Sequence, residues 1–137
     1  MWILYGLMSA VFAAISSILD KSGVATFDSN LATAVRTSTV VIMAWSIVLT
    51  TGTQQQMAKF GTKGWIVLLV SGVLTGFSWL CYFKAMSLAN VSKVVPLNRI
   101  SVIMTIVLAS IFLNETITAK TAVGGVLVML GTVFLVL

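Results

Sequence analysis

The stretch Val91-Ser92-Lys93-Val94-Val95-Pro96-Leu97-Asn98-Arg99-Ile100-Ser101 decides how the chain is read. It opens a long apolar segment, yet it carries two fixed positive charges, an amide and the only proline of the sequence. From Ile100 to Leu113 the apolar run is too short to cross a bilayer, at ~1.5 Å per helical residue against a core of ~30 Å. The spanning helix must therefore begin near Val91, which sets Arg99 about two turns inside it. A cation at that depth costs roughly 2.5–3.5 kcal/mol on insertion scales. Pro96 removes a backbone donor and disturbs the bond to the carbonyl four residues earlier, which marks it as a helix discontinuity. Membrane segments tolerate such features where protein or a watery cavity surrounds them. This helix is expected to face an internal pathway.

The composition agrees. Of 137 residues, 59% are hydrophobic and 8% charged, with a mean hydropathy of +1.12. Soluble domains carry ~25% charged residues, so the chain reads as an integral membrane protein. One cysteine (Cys81) and no histidine rule out a disulfide framework and argue against a transition-metal site. The net charge of +5 is scattered rather than clustered, unlike the basic patch of a nucleic-acid binder. Contact with anionic lipid headgroups explains the charges outside the membrane.

Working outward, five apolar segments cover about residues 2–20, 29–50, 64–89, 91–113 and 119–137. The fold class is all-α, with five transmembrane helices in a single domain over 1–137. The first segment has no basic leader region and reads as a retained helix, with Gly23 its expected terminator. In the second, Ser29 or Asn30 is the expected N-cap, and Arg36 is a second embedded cation. Arg36 can snorkel, pair with Asp20 or Asp28, or contact substrate directly. The polar connection from Thr50 to Lys63 has no catalytic pattern. Gly72 and Gly76 form a GxxxG pair suited to close helix approach. Trp79, Tyr82 and Phe83 suit either an interfacial aromatic belt or a cavity wall. Thr118 is the expected cap of the fifth segment, and Glu115 can pair with Lys120 or cap that helix.

Five spans place the two ends on opposite sides. The loops on one side hold Lys59, Lys63 and Lys120; those on the other hold Lys21 and Lys93, with Arg36, Lys84 and Arg99 embedded nearer to it. Lysine and arginine bias sets orientation, and here neither side prevails. Such a sequence is suited to insert both ways round.

The hairpin from Tyr82-Phe83-Lys84-Ala85-Met86 through Ser92-Lys93-Val94-Val95-Pro96-Leu97 is followed by Leu113-Asn114-Glu115-Thr116-Ile117-Thr118 and Gly124. This pattern resembles the EamA repeat of the drug/metabolite transporter superfamily. The usual signature has a Leu-Gly-Glu-x-Leu-Thr turn, in which Asn114 here replaces the glycine and Ile117 the leucine. The resemblance implies a secondary transporter in a prokaryotic cell membrane, exporting or exchanging a small metabolite without a cofactor. Most members resemble two fused repeats in opposite orientation; a single repeat implies an antiparallel homodimer working by alternating access at its interface.

No nucleophile–base set is present, so an enzyme is not expected. The Gly124-Gly125 pair lies in an apolar helix rather than a phosphate loop. For a pathway lined by the first, third and fourth helices, the candidate residues are Ser16, Trp79, Tyr82, Lys84, Asn98, Arg99 and Ser101. Asn98 and Arg99 offer donors to a carboxylate or phosphate, so the substrate is expected to be anionic or zwitterionic. Snorkelling of Lys84, Lys93 and Arg99 is the purely structural alternative. A small multidrug-type exporter, a lipid-carrier flippase and a non-transporting accessory subunit are the competing functions; the first is disfavoured because no acid precedes Asp20 in the first helix.

Overall fold

The structure is a computed structural model that describes residues 1–137, the side chain of Ala58 excepted. The helices are α1 (Trp2–Thr26), α2 (Ser29–Thr51), α3 (Thr62–Leu88), α4 (Val91–Asn98), α5 (Ile100–Phe112) and α6 (Ala119–Val136), with a 3-10 turn over Thr53–Lys59. With Val91–Phe112 taken as one span, five helices among the described residues are long and apolar enough to cross a membrane. At most 11% of the apolar window of any of them is buried within the chain. Lipid or a further protein surface must cover the rest, because water would not tolerate so much exposed apolar area.

Local chemistry sets the helix ends. α1 does not stop at Gly23 but continues to Thr26. The N-cap of α2 is Asp28, one residue before the expected pair, and its side chain accepts from the Asn30 N–H at 2.8 Å. A carboxylate there both satisfies an orphan donor and suits the positive end of the helix dipole. Gly52, at φ 70°, closes the other end in the left-handed conformation. Thr118 caps α6 by accepting from the Thr121 N–H at 3.2 Å. Glu115 takes no part in that cap.

α2 carries many hydroxyls for a membrane helix, and the chain satisfies them internally. Thr33, Thr37, Ser38, Thr39 and Ser46 each donate to the carbonyl four residues back, at 2.7–3.1 Å. In lipid an unsatisfied polar group would be costly, and this back-bonding removes the cost.

The chain divides into two compact units. One comprises Met1–Ile18 with Leu88–Leu137. Within it α6 packs against both α4 and α5, with Val94, Gly125 and Thr132 buried. Gly125 meets Ile106 across that packing: a Cβ there would stand 3.5 Å from Ile106 Cδ1. The other unit is Leu19–Ser87, in which Phe83 and Met86 are the most deeply buried side chains.

The break in the fourth span does not fall at Pro96. α4 runs through the proline, and the interruption lies at Arg99. There the Arg99 N–H donates to the Pro96 carbonyl at 2.8 Å, and the Val102 N–H donates to the Arg99 carbonyl at 2.9 Å. These three-residue closures are the tighter 3-10 geometry that often marks a functional discontinuity. The Pro96 carbonyl also accepts from Thr132 Oγ1 at 3.3 Å, so α6 holds the acceptor on which the break turns.

Candidate functional site

Charged groups within the apolar spans are the natural starting point, because each needs a physical reason to be there. In the unit Leu19–Ser87, α2 presents Arg36 and α1 presents Asp20. Arg36 Nε lies 3.4 Å from Asp20 Oδ1, and the two side chains are 31% and 11% exposed. The guanidinium also stands 4.9 Å from the Trp79 ring centroid and 5.6 Å from that of Phe83, both from α3. Charge pairing and ring faces together hold a planar cation that lipid alone would expel. Tyr82 sets its ring edge-on to Phe83 at 6.0 Å. Asp28, the other possible partner of Arg36, is instead the cap of α2.

The Asp20–Arg36 pair lies in the wall of a groove of about 370 Å³ whose other walls are apolar, including Leu19, Phe27, Leu31 and Val35. A second cleft, of about 550 Å³, is bounded by Asn30, Thr33, Thr37 and Ser38 of α2 and by Gly76 and Leu80 of α3. Gly72 and Gly76 have nothing within 4 Å of a Cβ built on either.

Two lysines serve helix ends. Lys21 Nζ donates to the Met86 carbonyl at 2.6 Å, in the last turn of α3. In the other unit, Lys93 Nζ donates to the carbonyl of Val136, the last residue of α6, at 2.9 Å. Each places a cation where the helix dipole is negative and carbonyls lack partners. For Lys93 this replaces simple snorkelling with a specific tie between α4 and α6.

Arg99 is different. Its side chain is exposed, and among the described residues its guanidinium meets no ion-pair or hydrogen-bond partner. Arg99 lies 2.5 residues from the midpoint of Val91–Phe112, or about 4 Å along the axis. Asn98, the last residue of α4, is exposed beside it, and the Ser101 hydroxyl turns back to the Asn98 carbonyl at 2.8 Å. Ser16 is half-buried in the same unit. Lys84 is exposed in the final turns of α3, while Trp79 and Tyr82 are half-buried.

Of the candidate pathway residues, Trp79, Tyr82 and Lys84 belong to Leu19–Ser87, and Ser16, Asn98, Arg99 and Ser101 belong to the other unit. Trp79 and Tyr82 belong with Arg36, whereas Asn98, Arg99 and Ser101 surround the break between α4 and α5. Residues that sequence inspection passed over are Leu31, Val35 and Thr132. The first two lie five positions and one position before Arg36 on an apolar helix, with nothing to distinguish them from lipid-facing neighbours. Thr132 alone gave a signal, as a hydroxyl deep in the apolar fifth segment, well past Thr121 at its start. Glu115 and Lys120 are both exposed and form no ion pair with each other.

Comparison with known proteins adds a family. A model of the EamA-like transporter family matches residues 1–137. A protein from Sinorhizobium sp., described as an uncharacterized transporter in the cobO 3' region, is 34% identical over 134 residues, covering 98% of this chain and 95% of that protein. No solved structure matches.

Proposed function

The chain belongs to the EamA-like transporter family and is a multi-pass membrane transporter rather than an enzyme, and from that premise we propose a secondary transporter of small anionic or zwitterionic metabolites in a bacterial cell membrane. Two copies of the 1–137 domain pair in opposite orientation and present alternating access to a site at their interface. Arg99 carries this reading. An exposed cation about 4 Å from the middle of a span cannot rest in lipid without a cost of roughly 2.5–3.5 kcal/mol. Water in a pathway, a substrate anion, or the facing surface of a second copy removes that cost.

Two further observations support pairing. The open glycine face of α3 at Gly72 and Gly76 suits close approach of another helix. The even distribution of Lys and Arg between the two sides suits insertion both ways round. In an inverted pair every pathway residue occurs twice, so two Arg99 side chains face a common region. Their mutual repulsion is relieved when an anion lies between them. Asn98 then adds amide donors and acceptors, and the break at Arg99 lets α4 and α5 move by small changes at one turn.

Counterflow in proteoliposomes tests the reading, with labelled benzoate, leucine and choline as anionic, zwitterionic and cationic probes. Benzoate or leucine should enter and choline should not. Arg99→Gln should abolish the flux, and Arg99→Lys should retain part of it. Choline entry at an equal or greater rate, or full flux through Arg99→Gln, contradicts the proposal.

A further inference from the structure

The groove beside the Asp20–Arg36 pair lies wholly within Leu19–Ser87 of one protomer. Three of its properties bear on what it could hold. Its volume of about 370 Å³ falls within the ~300–1,000 Å³ range of small-molecule pockets. Its walls are apolar apart from the two charged residues. The pair itself is unequally shielded, with Asp20 at 11% and Arg36 at 31% side-chain exposure.

That inequality decides the sign of the ligand. Asp20 is the more withdrawn side chain, so more of Arg36 than of Asp20 is open to an incoming molecule. Trp79 and Phe83 hold the guanidinium from the α3 side, at 4.9 and 5.6 Å from their ring centroids. An arginine held in this way recognises a carboxylate through its donor fork. The apolar walls, Leu19, Phe27, Leu31 and Val35 among them, would bury an attached hydrocarbon body and exclude water from the charge pair.

We propose that this groove is a binding site for a small carboxylate with an apolar body, in which the ligand carboxylate takes over Arg36 from Asp20. Asp20 is then an internal competitor that keeps the arginine neutralised while the groove is empty. This deepens the transporter reading, on which it rests for its role in flux, by naming the substrate class and a protomer-borne site. Exchange of carboxylates on one arginine also gives a reason for an ion pair in an apolar setting, where it contributes little net stability of its own.

A purely structural ion pair and a competing one respond differently to substitution. Removing either partner of a structural pair harms the site alike. In the exchange scheme Arg36→Gln removes the receptor, whereas Asp20→Asn removes the competitor.

The test uses the 137-residue chain with Trp2, Trp45 and Trp65 replaced by phenylalanine, leaving Trp79 as the fluorescent reporter. It is purified in neutral detergent and titrated with 3-phenylpropanoate, 3-phenylpropan-1-ol and 3-phenylpropylamine. The acid should give a saturable change, with the alcohol and amine weaker by about tenfold or more, the scale of one charge-assisted hydrogen bond. Arg36→Gln should abolish acid binding, and Asp20→Asn should tighten it several-fold. Equal binding of acid and alcohol overturns the proposal, and so does equal weakening by both variants. If Arg36→Gln alone does not accumulate, the Asp20→Asn, Arg36→Gln double variant removes both charges and should still fail to bind the acid. Repeating the titration with added phosphatidylglycerol separates the lipid source. If the lipid occupies the groove with Arg36-dependent affinity and the acid does not displace it, the site is a lipid site and the proposal fails. The readout needs no bilayer and no flux. A negative result here therefore leaves the counterflow test standing, and failed counterflow leaves this binding intact.

Discussion

Lys93 of α4 and Val136 of α6 are joined end to end: Nζ of the first donates to the carbonyl of the second at 2.9 Å. The lysine follows the tight turn between α3 and α4, and the carbonyl is among those a helix end leaves unpaired. The same cation thus anchors the start of the broken span and completes the end of the last helix. Replacing Lys93 with Met should lower stability by about 1–2 kcal/mol, the scale of a charged hydrogen bond supported by the helix dipole. Thermal unfolding in detergent would show it as a lower Tm, with Lys93→Arg closer to the parent protein.

Thr132 is the second tie between α6 and α4. It is 4% exposed and donates to the Pro96 carbonyl at 3.3 Å. Thr132→Val keeps the shape and removes the hydroxyl, so the loss should be about 1 kcal/mol. If the tie positions the break at Arg99, counterflow should fall in this variant by more than it does in Lys93→Met. A flux equal to the parent's would leave the hydroxyl with a packing role only.

Asn114 explains a departure in the signature turn. Its φ is 54°, the only positive value at a non-glycine among the described residues, and the next N–H, of Glu115, returns to the Ala109 carbonyl at 3.3 Å. Glycine adopts this conformation freely, and asparagine is the side chain that tolerates it best. Asn114→Gly should therefore be close to neutral. Asn114→Val should cost about 1–2 kcal/mol, read as a drop in Tm.

Asp20 and Arg36 should show non-additive stability. Breaking the pair from one side leaves a poorly solvated charge, whereas removing both partners does not. Asp20→Asn and Arg36→Gln should each lower Tm, and the double variant should recover part of the loss. Equal and additive losses would mean that the two side chains do not interact at the 3.4 Å separation.

Much of the architecture could be read from the chain because the bilayer fixes the length and polarity of each span. Five apolar stretches, a tight turn after Ala89 and a threonine cap at Thr118 are local properties, and local properties are written in local sequence. The placement of the helix break was not. Pro96 is the visible signal, yet the interruption falls three residues later, where the Pro96 carbonyl is shared between Arg99 and a threonine 36 positions away. The groove was hidden for a similar reason. Leu31 and Val35 look like any lipid-facing residues until α1 brings Asp20 to Arg36. Lys93 was legible as a cation near an interface but not as the cap of a helix that ends 43 residues on.

Membrane topology distinguishes two copies in opposite orientation from a single fixed insertion. In a Cys81→Ser background, a cysteine at Gln55 in one sample and at Leu137 in another would be labelled in intact cells with an impermeant maleimide, and again after permeabilisation. With five spans these two positions lie on opposite sides of the membrane. An inverted pair should have each position labelled to about half from outside, with the remainder reached only after permeabilisation. Complete labelling of one position from outside and none of the other would establish a single orientation. That result would contradict the inverted pair and the shared site around Arg99.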